Sequence, residues 1–351
     1  MVGMRVLVTG GTGFVGSHAV AALVGAGHRP RLLVRSAARV GAALDPLGVQ
    51  LDMDADVVVG DATDEASVRE ALEGCEAAVH AASVVSLHVR DADHVLDVNR
   101  RAAELVVGGA VAAGLDPVVH VSSLSAIVPQ PDGTTVTGDV PIPDPSTQGP
   151  YGRSKAAAEH VARDLQASGA PVVTVYPAMV MGPHDPHLGE GTTAWRNVLR
   201  GLMPVMPPGG FHIVDVRDLG ALITAMIERG RGPRRYLTTG HHVSASHAVA
   251  ELSRITGRWL PNVQIPVGLV HVGGRLADWV QQVLPVRLPL GYEAITTLTS
   301  DPDCDDGNTW TDLGVTARPL EDTTRDLIRW LVAEDLLPPA QAGKAMPDSA
   351  S

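Results

Sequence analysis

The stretch Arg5-Val6-Leu7-Val8-Thr9-Gly10-Gly11-Thr12-Gly13-Phe14-Val15-Gly16-Ser17 decides how this chain is read. Arg5 to Thr9 is a short apolar, β-branched run suited to a buried strand, and residues 17–26 read as a helix that stops near Gly27. Between them Gly10, Gly13 and Gly16 form a Gly-x-x-Gly-x-x-Gly spacing, and Gly11 allows Gly-x-Gly-x-x-Gly as well. Three demands put glycine in such a loop: a tight turn, close approach of a pyrophosphate to the backbone, and close packing of the helix on the strand. Free amides at the helix N-terminus then meet the pyrophosphate. The alternative is a tight turn that binds nothing, and the strand–loop–helix context favours the dinucleotide reading over it. Thr12, Phe14 and Val15 belong to the same wrap.

Outward from this loop the texture repeats. Apolar runs at 31–34, 56–60, 77–80, 118–121 and 172–175 alternate with helical stretches at 67–72, 96–113 and 156–167. Near-continuous apolar strands that alternate with helices predict an α/β fold, a doubly wound parallel sheet covered on both faces. After about residue 183 glycine and proline become frequent and the alternation loosens, while 236–239 has the look of a strand returning to the sheet. The expected organisation is a dinucleotide-binding domain over 1–182 with a return segment at 214–240. A smaller, mostly C-terminal substrate-binding region takes 183–213 and 241–335, and 336–351 forms a flexible tail.

The chain of 351 residues is 45% hydrophobic and 19% charged, a globular balance with a net charge of −12. That acidity speaks against nucleic acid as a partner, since phosphate binding needs a basic footprint. Cys75 and Cys304 are too few for a disulfide framework or a zinc site and read as buried thiols. No signal-peptide pattern opens the sequence and no run of 18 apolar residues spans a membrane, so a soluble cytoplasmic protein is expected.

Only two lysines, Lys155 and Lys344, occur in a chain that otherwise writes its positive charge as arginine. Lys155 stands four residues after Tyr151, and with four tyrosines in the chain such a pair arises by chance roughly 0.02 times. At the start of a helix, i and i+4 share a face. A lysine ammonium beside a phenol favours the phenolate and lowers its ordinary pKa of about 10, toward the range of a general acid or base. Ser122 and Ser123 follow the strand at 118–121, at the end where α/β sheets place ligands, and either hydroxyl can hold a substrate oxygen there. At the end of the second strand Val34-Arg35-Ser36 carries no acid to bond a ribose 2′-hydroxyl. Arg35 offers a forked donor to a 2′-phosphate, so NADP(H) is favoured, with NAD(H) the alternative. Asp61, followed by Ala62, is placed after the third strand to accept from an adenine amine.

With these residues in view the chain resembles an extended short-chain dehydrogenase/reductase of the NAD-dependent epimerase/dehydratase superfamily, as far as about residue 335. The resemblance rests on the glycine loop, Gly60-Asp61, His80-Ala81-Ala82, Val98-Asn99, Val121-Ser122-Ser123, the Tyr151…Lys155 pair and Tyr176-Pro177-Ala178-Met179-Val180-Met181-Gly182-Pro183. Val214-Asp215-Val216-Arg217-Asp218 supports it. It implies a Rossmann fold, Tyr151 as proton donor, Lys155 on the nicotinamide ribose, and Ser123 rather than Ser122 polarising the substrate carbonyl. Ala81, Ala82, Ser122, Pro177, Ala178 and Val180 would line the cofactor. Tyr176 stands where many relatives have arginine, which bears on the nicotinamide or substrate environment.

Within the superfamily, Pro207-Pro208-Gly209-Gly210-Phe211 and the apolar 265–290 cap resemble the dihydroflavonol reductase-like and 3β-hydroxysteroid dehydrogenase-like branch more than sugar epimerases. The expected reaction is reduction of a hydrophobic ketone or aldehyde, or the reverse oxidation, by a small-molecule enzyme that forms a homodimer. A sugar-nucleotide epimerase or dehydratase that retains its NAD is one rival, and a non-catalytic dinucleotide sensor is another. His184 and His187 sit in a Pro/Gly loop and are read as loop residues, so no metal is expected. His241-His242 reads as a turn, and His80 and His120 as polar lining of the cofactor cleft.

Overall fold

The computed structural model describes residues 3–84, 92–206, 208–264, 266 and 301–346. The main sheet has seven parallel strands: β1 (Arg5–Thr9), β2 (Arg29–Val34), β3 (Val57–Val59), β4 (Ala77–His80), β5 (Val118–Val121), β6 (Val172–Pro177) and β10 (Arg234–Thr238). Their order is β10-β6-β5-β4-β1-β2-β3, with the direction of winding reversing between β4 and β1. This is the expected doubly wound α/β fold.

Alternation along the strands divides the core in two. Val6 and Val8 face one layer, under α1 (Phe14–Gly25), α2 (Ala38–Leu44) and α7 (Val216–Ala225). Leu7 faces the other, under α3 (Glu65–Leu72), α4 (Ala92–Ala112) and α5 (Pro150–Ala167). The helix after the glycine loop therefore starts at Phe14, earlier than expected, because Gly13 already acts as its N-cap.

A second lobe grows from the far end of β6. The chain passes directly into β7 (Met179–Met181), which pairs with β9 (Gly210–Asp215), itself paired with β11 (His241–Ser244). His241 and His242 thus lie in a strand, not in a turn. A short parallel pair joins β8 (Val205–Met206) to β12 (Val263–Gln264). Met181 and Ile213 share a core with Trp195 and Leu199 of α6 (Glu190–Leu199), Leu252 of α8 (Ala245–Thr256) and Leu327 of α10 (Leu320–Ala333). The four-residue α9 (Thr309–Asp312) lies against β10.

One buried charge cluster ties the lobes together. Asp215 caps α7 through the Arg217 amide at 2.7 Å and takes the Arg217 guanidinium on both oxygens, at 3.0 and 2.7 Å. Thr323 of α10 donates to the same carboxylate at 2.7 Å, and Arg217 reaches on to Asp326 at 2.7 Å.

The C-terminal tail is folded as far as Met346, contrary to the expectation of a loose end. α11 (Pro339–Ala342) and a following 3-10 turn bury Ala342 and Ala345 in the second core, and Arg258 and Arg329 bond the carbonyls of Gln341 and Ala345. The turn packs against α8 and both elements pack against α10. The apolar stretch at 265–290 lies, apart from residue 266, outside the described residues. Among the described residues no helix is long and apolar enough to cross a membrane.

Candidate active site

The glycine loop is shaped by contact. Gly10 has φ +75°, and a Cβ there would sit 2.6 Å from the Ala81–Ala82 backbone. A Cβ on Gly16 would meet the Gly10 carbonyl oxygen at 2.0 Å. The Gly13 amide donates back to that oxygen at 2.8 Å, which closes the turn and leads into α1 with no acidic residue in its first turn. The first-turn amides at Phe14, Val15 and Gly16 have no intrahelical acceptor, and the helix dipole adds partial positive charge. Glycines pressed against neighbouring backbone at both ends of the turn, together with these amides, fit a pyrophosphate.

The remaining residues singled out in the sequence cluster at the C-terminal ends of the same strands. Arg35 is exposed just beyond β2. Asp61, beyond β3, accepts from the Thr63 amide at 2.8 Å and hydroxyl at 2.7 Å; these bonds and the charge of Arg35 hold its carboxyl below the usual range. Ala62 follows, packed on the α3 side of the core. Beyond β4 the Ala81 amide donates to the Thr9 carbonyl, and Ala82 is half-buried beside it. Beyond β6, Ala178 donates to the Thr238 carbonyl, and Ala178 and Val180 are half-buried where Pro177 hands the chain to the second lobe.

The two serines after β5 diverge. Ser122 is 4% exposed and turns its hydroxyl inward beside Glu159. Ser123 is half-buried at the lip, and its Oγ accepts from the Ser125 amide at 3.2 Å. Tyr151 opens α5 one residue after Pro150, and the Lys155 Nζ lies 6.0 Å from its ring centroid. Burial pulls the Lys155 ammonium down to about 8. Asn99 of α4 clamps the strand end: its amide bonds both backbone groups of Val84, at 2.8 and 2.9 Å, and reaches Ser154 at 3.3 Å.

His80 and His120, both buried, stack on each other, ring centroids 5.6 Å apart and 18° from parallel. They lie beneath the cleft, not along its wall. His120 Nε2 is 3.8 Å from Glu159 Oε2. Tyr176 is fully buried, donating to Glu159 Oε1 at 2.5 Å and accepting from Arg163 at 3.0 Å. Its hydroxyl therefore serves this cluster rather than a nicotinamide or substrate environment.

The comparisons with known proteins agree with this geometry. The family described as NAD dependent epimerase/dehydratase matches residues 6–237. The chain belongs to that family. It is similar to the sterol demethylase protein B of Methylococcus capsulatus, 32% identical over 93% of this chain and 98% of that protein. A putative dihydroflavonol 4-reductase of Synechocystis is 28% identical over 92% of this chain and 93% of its own length. Among solved structures, gox2253 superposes with a TM-score of 0.78 at 25% identity, covering 95% of this chain and 99% of that one.

The protein is thus an NAD(P)-dependent oxidoreductase of the extended short-chain type. The structure gathers the glycine loop, Arg35, Asp61, Ala81, Ala82, Ser123, Tyr151, Lys155 and the Pro177–Val180 segment on one edge of the sheet. Sequence reading passed over Asn99 as a clamp and Glu159 altogether. A carboxylate in the helical row of Lys155, among alanines at 156, 158 and 162, was the available signal for the latter.

Proposed function

We propose that the protein is an NADP(H)-dependent reductase of hydrophobic ketones or aldehydes, or the oxidant of the corresponding secondary alcohols. One observation carries the reading: Tyr151 and Lys155 share a face at the start of α5, with the half-buried Ser123 at the neighbouring strand end. When bound, the dinucleotide supplies the hydride equivalent. The glycine cradle and the α1 amides hold its pyrophosphate, and Arg35 offers a guanidinium fork to a 2′-phosphate.

The protein's own side chains handle the proton. Ser123 Oγ already accepts from the Ser125 amide, so its O–H is left to donate to the substrate oxygen. Tyr151 gives that oxygen its phenolic proton as negative charge develops there. The Lys155 ammonium stabilises the phenolate that remains; two pKa units of such help correspond to about 2.7 kcal/mol. In the oxidising direction the same groups run in reverse.

An apolar substrate is supported by the relatives named for sterol and flavonol chemistry. The test is Tyr151→Phe, which removes one oxygen from a half-buried ring. Turnover of an aldehyde and sterol-ketone panel with NADPH falls at least about a thousandfold, in line with loss of a general acid, while NADPH binding by fluorescence titration persists. Retained turnover overturns the mechanism. A protein purified with stoichiometric, non-exchanging NAD overturns the reductase reading in favour of an epimerase.

A further inference from the structure

The serine and the tyrosine of the site sit on segments of unequal stiffness. Tyr151 belongs to α5, an 18-residue helix whose Ala158 and Ala162 are buried in the core. Ser123 leads into a single 3-10 turn, Leu124–Ala126. The Ala126 amide donates to the Ser123 carbonyl at 3.0 Å, and the Ile127 amide to the Leu124 carbonyl at 3.0 Å. So short a helix leaves its last carbonyls without partners of its own.

One side chain from the foot of α5 supplies those partners. Gln148 lies three residues before Tyr151. Its Nε2 donates to the carbonyls of Ser125 at 3.1 Å, Ala126 at 3.2 Å and Val128 at 3.0 Å, two N–H groups shared among three acceptors. The surroundings fix how the amide is turned: carbonyl oxygens only accept, so the nitrogen must face them. Gln148 is 8% exposed, and its Oε1 is buried with no hydrogen-bond partner. A buried oxygen left unpaired is destabilising, and the bonds made by Nε2 offset that cost.

Packing joins the same two segments independently. Gly152 follows the tyrosine, and a Cβ there would stand 3.1 Å from the Ser125 carbonyl oxygen and 3.4 Å from the Gln148 Cβ. The first turn of α5 thus lies directly on the turn that follows the serine.

We propose that Gln148 is a positioning residue for Ser123: it ties the turn after the serine to the foot of the helix that carries Tyr151, and so fixes the spacing of the two hydroxyls. The inference rests on Ser123 holding the substrate oxygen. Ser125 is the link, because its amide donates to Ser123 Oγ at 3.2 Å while its carbonyl accepts from Gln148. With the tie cut, the three-residue turn shifts and the long helix stays.

Gln148→Met keeps the length and bulk of the side chain and removes its N–H groups. It is expected to lower kcat on the aldehyde and ketone panel about tenfold, since a misplacement of about 1 Å can cost a hundredfold. NADPH binding by fluorescence titration is unchanged. The decisive measurement is a double-mutant cycle with Ser123→Ala. Once the serine hydroxyl is gone, Gln148→Met costs less than about twofold; losses that multiply in the double variant overturn the proposal. Hydrogen exchange at the Ser125, Ala126 and Ile127 amides reads the tie without turnover. Gln148→Met speeds it about tenfold, and unchanged exchange overturns the proposal. Should Gln148→Met not fold, Gly152→Ala tests the same contact from α5. It adds a good helix former, so the melting temperature holds while the new Cβ displaces the serine turn and kcat falls; an unchanged kcat overturns the proposal. If the wild-type protein reduces no carbonyl substrate, the reductase reading fails, while faster exchange in Gln148→Met keeps the tie between the two segments.

Discussion

Two buried carboxylates, Asp215 and Glu159, stand in contrast. Asp215 accepts an amide, both sides of a guanidinium fork and a threonine hydroxyl. Burial pushes its carboxyl up, yet the Arg217 and Thr323 bonds prevail and hold it below the usual range. Glu159 is as deeply buried but less completely paired, with His120 Nε2 3.8 Å from its Oε2; burial pushes its carboxyl up against the pull of Tyr176, Arg163 and the nearby Ser122 hydroxyl. A fully paired ion cluster fixes geometry, here the junction of α7 with α10. In the less completely paired one burial prevails, and the carboxyl is pushed up.

The largest effect that separates the two clusters is the pH dependence of stability. His80 and His120 of the Glu159 cluster, and His18 on α1, are held neutral, at about 3 for His80 and about 4 for His18. Below the ordinary histidine range each of these three is protonated in the unfolded chain but not in the folded one. Each therefore adds stability as pH rises through that range and loses it on acidification, by up to about 1.4 kcal/mol per pH unit. Urea titrations between about pH 4 and 6 measure it, and His120→Phe is expected to flatten the dependence.

Asp215→Ala is the next largest. Breaking the paired cluster from one side costs roughly 3 kcal/mol, read as a lower urea midpoint at neutral pH. Activity per folded molecule holds. If this variant instead lowered activity per folded molecule, the reading of Asp215 as a structural carboxylate would collapse.

Smaller still is Arg35→Ser, which touches neither cluster. Loss of one charge-assisted contact is worth about 1.5–3 kcal/mol, roughly a tenfold to hundredfold fall in NADPH affinity relative to NADH. An unchanged ratio would remove Arg35 from cofactor selection.

How far the sequence carried the fold differs between these regions for a physical reason. The glycine loop and the Tyr151/Lys155 pair are local: the chemistry needs residues a fixed few positions apart on one strand–loop–helix unit, and spacing shows it. The row of polar side chains across the sheet is not local. Thr9, His80, His120 and Thr174 are neighbours only once the strand order and register are set, and an isolated histidine at a strand end gives no hint that another lies beside it. Tyr176 in place of arginine was visible as a departure, but its partners Glu159 and Arg163 lie on a helix whose face is chosen by packing. The tail from residue 336 reads as loose from its alanines, glycine and prolines, and only its packing on the second core, where Ala342 and Ala345 are buried, orders it as far as Met346.

The pairing of β6 with β10 also has a meaning in time. Translation makes β6 and then carries the chain through β7, α6, β9 and α7 before the last strand of the main sheet exists. Until Thr238 has left the ribosome, β6 is an unprotected edge of a nearly finished sheet, with its amide and carbonyl groups open to any passing strand. Only β7, α6 and β9 of the second lobe are made inside that interval; β11, α8 and α10, which complete its core, follow Thr238. The return strand that seals the sheet therefore ends the exposure of the first lobe before the second can close.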